Sequence, residues 1–175
     1  MTGVQTCALP IFGQTIRTSR SPVAVDTFRL LGAEPKEHIT LEEMNDYADR
    51  GEITAGESTY VRVFPLNQYK SFQYVNDTAH SLFLTSIIVN KDFFAQFDSD
   101  IQEIVSIAAF NAARAERRES VADIPRILAE CEKHGIEVVR MNDQELENFK
   151  SITDQVYTMY EDYFSPGLVD SIRKS

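Results

Sequence analysis

Residues suited to catalysis or metal binding are scarce in this sequence. It has three histidines in 175 residues. His38, His80 and His134 stand far apart and none has a neighbour at ligand spacing, which argues against a histidine metal site. Cysteine is rarer still, at Cys7 and Cys131 only. Cys131 falls on an apolar helical stripe and reads as packing rather than as a reagent. The chain has no Gly-rich phosphate loop, no GxSxG elbow and no HExxH pair. The paired carboxylates Glu42-Glu43 and Asp98-Asp100 are better explained as helix starts than as an acid–base pair. No metal and no cofactor is therefore expected. Positive charge is also in the minority, with 17 Lys and Arg against 27 Asp and Glu and a net charge of -10. That argues against a nucleic-acid partner, since phosphate binding needs clustered cations. No apolar run is long enough to span a bilayer.

The residues that are present describe a folded globular chain. Hydrophobic residues make up 43% and charged residues 25%, which places it away from disordered sequences. The length suits one domain or two small lobes. The first eleven residues, MTGVQTCALPI, have no basic n-region and no sustained apolar run, so they do not read as a signal peptide. They resemble the conceptual translation of a common short-read sequencing adapter. Residues 1–11 are accordingly expected to be non-native and outside the core, with the natural sequence taking over near Phe12 and its own N-terminal part missing. Without them Cys131 is the only cysteine, which permits no internal disulfide.

The stretch from Gly13 to Ser19 organises the rest of the chain. It reads as a short strand that carries Arg17 to its carboxyl end. Ser21 at an N-cap, Pro22 at the first helical position and Gly32 past the end punctuate a helix over 22–31. An arginine at the tip of a strand before a helix stands where open α/β sheets meet their ligands. Its guanidinium can grip a carboxylate with two parallel hydrogen bonds. An ordinary solvated arginine would have the same spacing.

Further along, an extended piece is expected near 37–39. Thr40 and Glu43 form a capping box for a helix that Gly51 closes. Strands are expected at 53–57, 72–78 and 84–89, the last apolar almost throughout, as a doubly covered strand should be. Residues 60–70, interrupted by Pro65, read as a broken helix or loop. The longest element runs from Asp98 towards His134, with apolar stripes at Ile101, Ile104, Val105, Ala108 and Ala112 and at Ile124, Ile127, Leu128 and Cys131. Its middle, 114–119, is polar nearly all round, as in a helix that bridges two bodies. Pro125 should kink or break it, and two helices meeting near Asp123 are the alternative. A strand at 136–140 and a last helix from Asn142 to Tyr163 complete the pattern. The order strand, helix, strand, helix, strand implies an α/β fold with a parallel or mixed sheet and flanking helices.

These segments in this order resemble the C-terminal part of the solute-binding proteins of tripartite ATP-independent periplasmic (TRAP) transporters. The residues that carry the resemblance are Gly13-Gln14-Thr15-Ile16-Arg17, Leu31-Gly32-Ala33-Glu34-Pro35, Leu41-Glu42-Glu43-Met44, 51–57, Thr78-Ala79-His80, Asn90-Lys91-Asp92-Phe93-Phe94 and the long helix. The resemblance implies a partial two-lobed fold of the type II periplasmic-binding kind, with a cleft and one long helix linking the lobes. It assigns 12–82 to an α/β unit of the second lobe, 83–134 to a first-lobe strand and the lobe-spanning helix, and 135–175 to a second-lobe strand and C-terminal helices. It implies periplasmic capture of a carboxylate-bearing organic acid for proton- or sodium-driven uptake, with membrane permease subunits as partners and no enzymatic activity. In the family the arginine matching Arg17 pairs with the ligand carboxylate. Glu57, Ser58, Thr59 and His80 are the other ligand-binding candidates. The sequence departs from the family at Ser58, where an asparagine is frequent, and near Leu41, where an aromatic is common. From the residues alone, a small α/β transferase and the effector-binding domain of a regulator stay open beside the binding reading.

Overall fold

The computed structural model describes residues 11–174. In chain order the elements are β1 (Thr15–Arg17), α1 (Pro22–Leu30), β2 (Glu34–Lys36), α2 (Met44–Asp49), β3 (Ala55–Gly56), β4 (Tyr74–Asp77), α3 (Lys91–Phe94), α4 (Ser99–Lys133), β5 (Glu137–Arg140), α5 (Asp143–Thr153), α6 (Gln155–Met159) and α7 (Leu168–Arg173). Single 3-10 turns lie at Tyr60–Arg62, Gln68–Lys70 and Glu161–Tyr163. The strands form two parallel sheets, one in the order β2-β1-β3 and one of β4 and β5.

In the first sheet β1 lies in the centre. Ile16 faces Pro35 on one side and Ala55 on the other. Pro35 is tolerated because β2 is an edge, where a missing N–H costs no ladder bond. This puts the strand at 34–36 rather than at the expected 37–39. Bonds from Thr54 N–H to the Thr15 carbonyl and from Glu57 N–H to the Arg17 carbonyl extend the β3 pairing beyond its two central residues. Gly56 is required there by close approach, since a Cβ would collide with Sδ of the buried Met44.

Three apolar clusters hold the elements. Ile11, Ile16, Phe28, Leu31 and Phe149 join β1, α1 and α5. Val63, Ile127, Cys131 and Ile136 join the C-terminal part of α4 to the β4–β5 sheet and to 60–70. Ile39, Met44 and Ile53 seat α2. Ile11 is 7% exposed, so the expectation that the segment through Ile11 stays outside the core fails at its last residue. Residues 1–10 lie outside the described residues.

Thr40 and Glu43 bond to each other as expected, Thr40 N–H and Oγ1–H donating to Glu43 Oε2 at 3.0 and 2.8 Å and the Glu43 N–H to Thr40 Oγ1 at 3.3 Å. But α2 begins only at Met44 with Glu43 at its N-cap, so they close the turn ahead of the helix. Asn142 and Glu145 form a capping box at the start of α5. The long helix is unbroken over 35 residues, about 50 Å, with Pro125 inside it. The alternative of two helices is not realised.

Two expectations fail for physical reasons. No strand forms at 84–89, and the whole stretch 78–90 is irregular. A strand needs a paired edge, and among the described residues none pairs with this stretch. Its apolar side chains are exposed instead, Ile88 by 89%. The expected last helix is not continuous either. It ends at Thr153, whose hydroxyl donates to the Phe149 and Lys150 carbonyls. Such back-bonding bends helices, and α6 starts on the far side of Asp154.

Phe28 is 2% exposed and connects α1 to β1 and α5. Phe28→Ala is expected to cost about 3–5 kcal/mol of unfolding free energy. Phe110→Ala, at a side chain 63% exposed on α4, should change it by no more than about 0.5 kcal/mol. Denaturant unfolding of the two variants measures both.

Candidate functional site

Because β1 and β3 run parallel and in register, they end on the same side of the sheet. Arg17 and Glu57 are brought together there. Arg17 Nε donates to the Ile39 carbonyl at 2.9 Å and Nη1 donates to the Glu57 carbonyl at 3.3 Å. Burial pulls the guanidinium below its ordinary pKa range, while the Glu57 charge opposes the shift.

Glu57 is the hub. Thr18 Oγ1–H donates to Oε2 at 2.7 Å and the Ser19 N–H reaches the same oxygen at 3.3 Å. His80 Nε2 lies 3.2 Å from Oε1, and the Thr78 hydroxyl lies 2.7 Å from His80 Nδ1. One tautomer suits both contacts: Nδ1 accepts from Thr78 and Nε2–H donates to Glu57. Burial alone would raise the Glu57 carboxyl. The hydrogen bonds from His80 and Thr18 and the Ser19 amide outweigh it and bring the pKa down to about 2. The His80 ring also packs against Phe28 and Phe149, with centroids 5.5 and 6.4 Å away.

A cavity of about 860 Å³ opens between the two sheets. Glu57, Ser58, Thr59 and His80 all line it, but Arg17 does not. Arg17 is joined to this group through the Glu57 carbonyl. The hydroxyls of Ser58 and Thr59 are buried without a hydrogen-bond partner, as is the amide nitrogen of Gln68. Burial, with Asp77 nearby, pushes the Tyr60 phenol up to about 12. Its oxygen closes no well-formed hydrogen bond, so Asp77 is near enough to oppose ionisation without satisfying the hydroxyl. Among the described residues no three His, Cys, Asp or Glu side chains gather as metal ligands.

Sequence reasoning missed Thr18 and Thr78. Thr18 is fully buried, which its type and position do not announce. Thr78 and His80 flank Ala79, whose φ is +44°, so their contact is made across a turn of the backbone that strand alternation does not announce.

A model of the bacterial extracellular solute-binding proteins, family 7, matches residues 11–163. An uncharacterised protein of Haemophilus influenzae is 25% identical over 145 residues, which is 83% of this chain and 43% of that protein. The ectoine-binding periplasmic protein TeaA of Halomonas elongata is 26% identical over 144 residues, 81% of this chain and 42% of TeaA. The chain thus spans less than half the length of these curated relatives. A TRAP periplasmic solute-binding protein of Roseobacter denitrificans, solved with bound 3-deoxy-D-manno-oct-2-ulosonic acid, shares the fold with a TM-score of 0.85. It is 21% identical, over 94% of this chain and 53% of that one.

The Glu57 network makes stability acid-sensitive. A carboxyl whose pKa falls on folding stabilises the fold above its unfolded value, and that contribution is lost as pH drops through the folded value. Here the loss should run from about 4.5 down to about 2. Glu57→Gln should be less stable near neutrality and should flatten this part of the profile. Thermal melts across that range are the measurement, and an unchanged acid slope would show that Glu57 is not held as described.

Proposed function

The chain belongs to the bacterial extracellular solute-binding proteins, family 7, and on that basis we propose that it is part of the solute-capturing subunit of a TRAP transporter. The family is one of binding proteins, not of enzymes. In this reading the protein works in the periplasm, takes up a carboxylate-bearing organic acid and delivers it to membrane permease subunits for proton- or sodium-driven uptake. Residues 12–82 and 135–175 form one lobe, and 83–134 carries the strand and long helix that reach the other. The packing supports this division. All five strands of the described residues lie within 12–82 and 135–175, whereas Leu84, Ile88, Ile104 and Phe110 between them expose apolar side chains. No described helix is long and apolar enough to cross a membrane.

The observation that carries the binding reading is the shared end of β1 and β3. It places a half-buried guanidinium beside a carboxylate whose charge is already taken up by His80, Thr18 and Ser19. Glu57 can then sit next to an incoming anion without being the group that meets it. The Arg17 hydrogen bonds use Nε and one N–H of Nη1. The outer edge of the fork, including Nη2, is left for a carboxylate. Ser58 and Thr59, with their unmatched hydroxyls, would meet polar groups of the solute. His80 acts mainly by holding Glu57.

The test is calorimetry with a panel of organic acids, ectoine and 3-deoxy-D-manno-oct-2-ulosonic acid among them, on the chain completed to the length of its relatives. Arg17→Ala should lose about 2–5 kcal/mol of binding if the carboxylate pair is desolvated, against about 0–1 kcal/mol for an exposed pair. Arg17→Lys keeps the charge without the fork and should fall between. Parent-like affinity in both variants for every acid bound would remove Arg17 from the site.

A further inference from the structure

Among the described residues two arginines are half-buried, Arg17 and Arg62, and every other one is exposed. The two stand near each other. Burial lowers the Arg17 guanidinium most, the Glu57 charge opposes that, and the Arg62 charge lowers it further. Among the described residues neither forms an ion pair with a carboxylate, whereas the exposed Arg29, Arg50 and Arg126 do. The position of Arg62 is fixed locally. Directly after Ser58 and Thr59 the chain turns through Tyr60–Arg62. The Arg62 N–H donates to the Thr59 carbonyl at 3.0 Å, and the Leu66 N–H donates to the Arg62 carbonyl at 3.1 Å. Val63, the next residue, is buried in one cluster with Ile127 and Cys131. The Arg62 guanidinium carbon lies over the Phe83 ring, 4.3 Å from its centroid. Phe83 lines the same cavity as Glu57, Ser58, Thr59 and His80, so Arg62 stands beside that cavity.

A cation drawn partly out of water is costly unless an anion meets it, and a second cation close by adds to the cost. The nearby Glu57 does not remove it, because its oxygens are taken by Thr18, Ser19 and His80. The Phe83 ring steadies the Arg62 guanidinium but brings no counter-charge. A guanidinium resting on a ring keeps its N–H edges for an acceptor. One carboxylate held by the Arg17 fork would answer the first charge and leave the second. Shared between the two arginines, it would give up the paired bonds of the fork. We infer that Arg62 is a specificity-determining residue of this site: while Arg17 holds the carboxylate of the solute, Arg62 takes a second negative group of the same molecule. The inference rests on the carboxylate grip proposed for Arg17 and adds to it a choice among acids. Acids with one charged end are disfavoured, because they leave Arg62 beside Arg17 without an anion.

The experiment is an NMR titration of the 175-residue chain at constant ionic strength, following the side-chain Nε–H signals of Arg17 and Arg62. The probes are malonate, succinate, glutarate and adipate, each against the monocarboxylate of the same carbon number. The best-matched dicarboxylate should shift both signals and bind at least about fivefold more tightly than its monocarboxylate, which should shift Arg17 alone. Arg62→Gln should bring that ratio close to one, and Arg62→Lys should leave it in between. Arg117→Gln removes the same charge from an exposed position on α4 and should leave the ratio unchanged. A dicarboxylate that shifts Arg17 but not Arg62, or a ratio that survives Arg62→Gln, would overturn the role of Arg62 and leave the grip of Arg17 standing. A ratio that falls as far in Arg117→Gln would reduce the preference to net charge and overturn the role as well. Acids that shift Arg62 without Arg17, or neither, would overturn the carboxylate grip and this inference with it.

Discussion

One carboxylate fixes the relation between three separate parts of the chain. Glu57 ends β3, takes hydrogen bonds from Thr18 and Ser19 at the end of β1, and meets His80 in the irregular segment after β4. A buried carboxylate is costly unless its oxygens are matched. Here both are matched, by groups 23 to 39 residues away in sequence. The cost of leaving any of them out is what holds the arrangement. The segment 78–81 has no regular structure of its own, and its tie to the sheet runs through the Thr78–His80–Glu57 chain of contacts.

Elements with a local physical cause were legible in the sequence. The capping residues of α5 and the hydrogen bonds between Thr40 and Glu43 formed because their reach is three residues and needs nothing from elsewhere. The strand before Arg17 and the helix after Pro22 were legible for the same reason. The run at 84–89 was misread because a strand is a property of a pair. Its composition fits one, and the chain described here gives it no neighbour. Thr153 misled in the opposite direction, since a single hydroxyl bonded back to Phe149 is invisible to an amphipathic pattern that continues past it.

The candidate site was legible in part. Glu57, Ser58, Thr59 and His80 do surround one cavity, as parallel strand ends and the family resemblance implied. Arg17 joins them only through the Glu57 carbonyl. Side-chain direction at a strand end depends on what the backbone next to it offers, and Ile39, 22 residues on, supplies the carbonyl that anchors the guanidinium. No spacing rule in the sequence contains that contact.

Among the described residues, the part of the long helix buried in the core lies near its C-terminal end. Ile127 and Cys131 are buried in the core near its C-terminus, while Ile101, Ile104 and Phe110 towards the other end are exposed. From Ile127 back to Ser99 is about 40 Å of rod at 1.5 Å per residue. A turn of about 5° at the anchor would carry the far end through about 3–4 Å, roughly the length of a hydrogen bond. Pro125, which lacks the N–H that would tie it to the preceding turn, sits two residues from the anchor. The one backbone hydrogen bond that proline removes thus lies close to the buried end of the rod, where a given bend would carry the far end furthest.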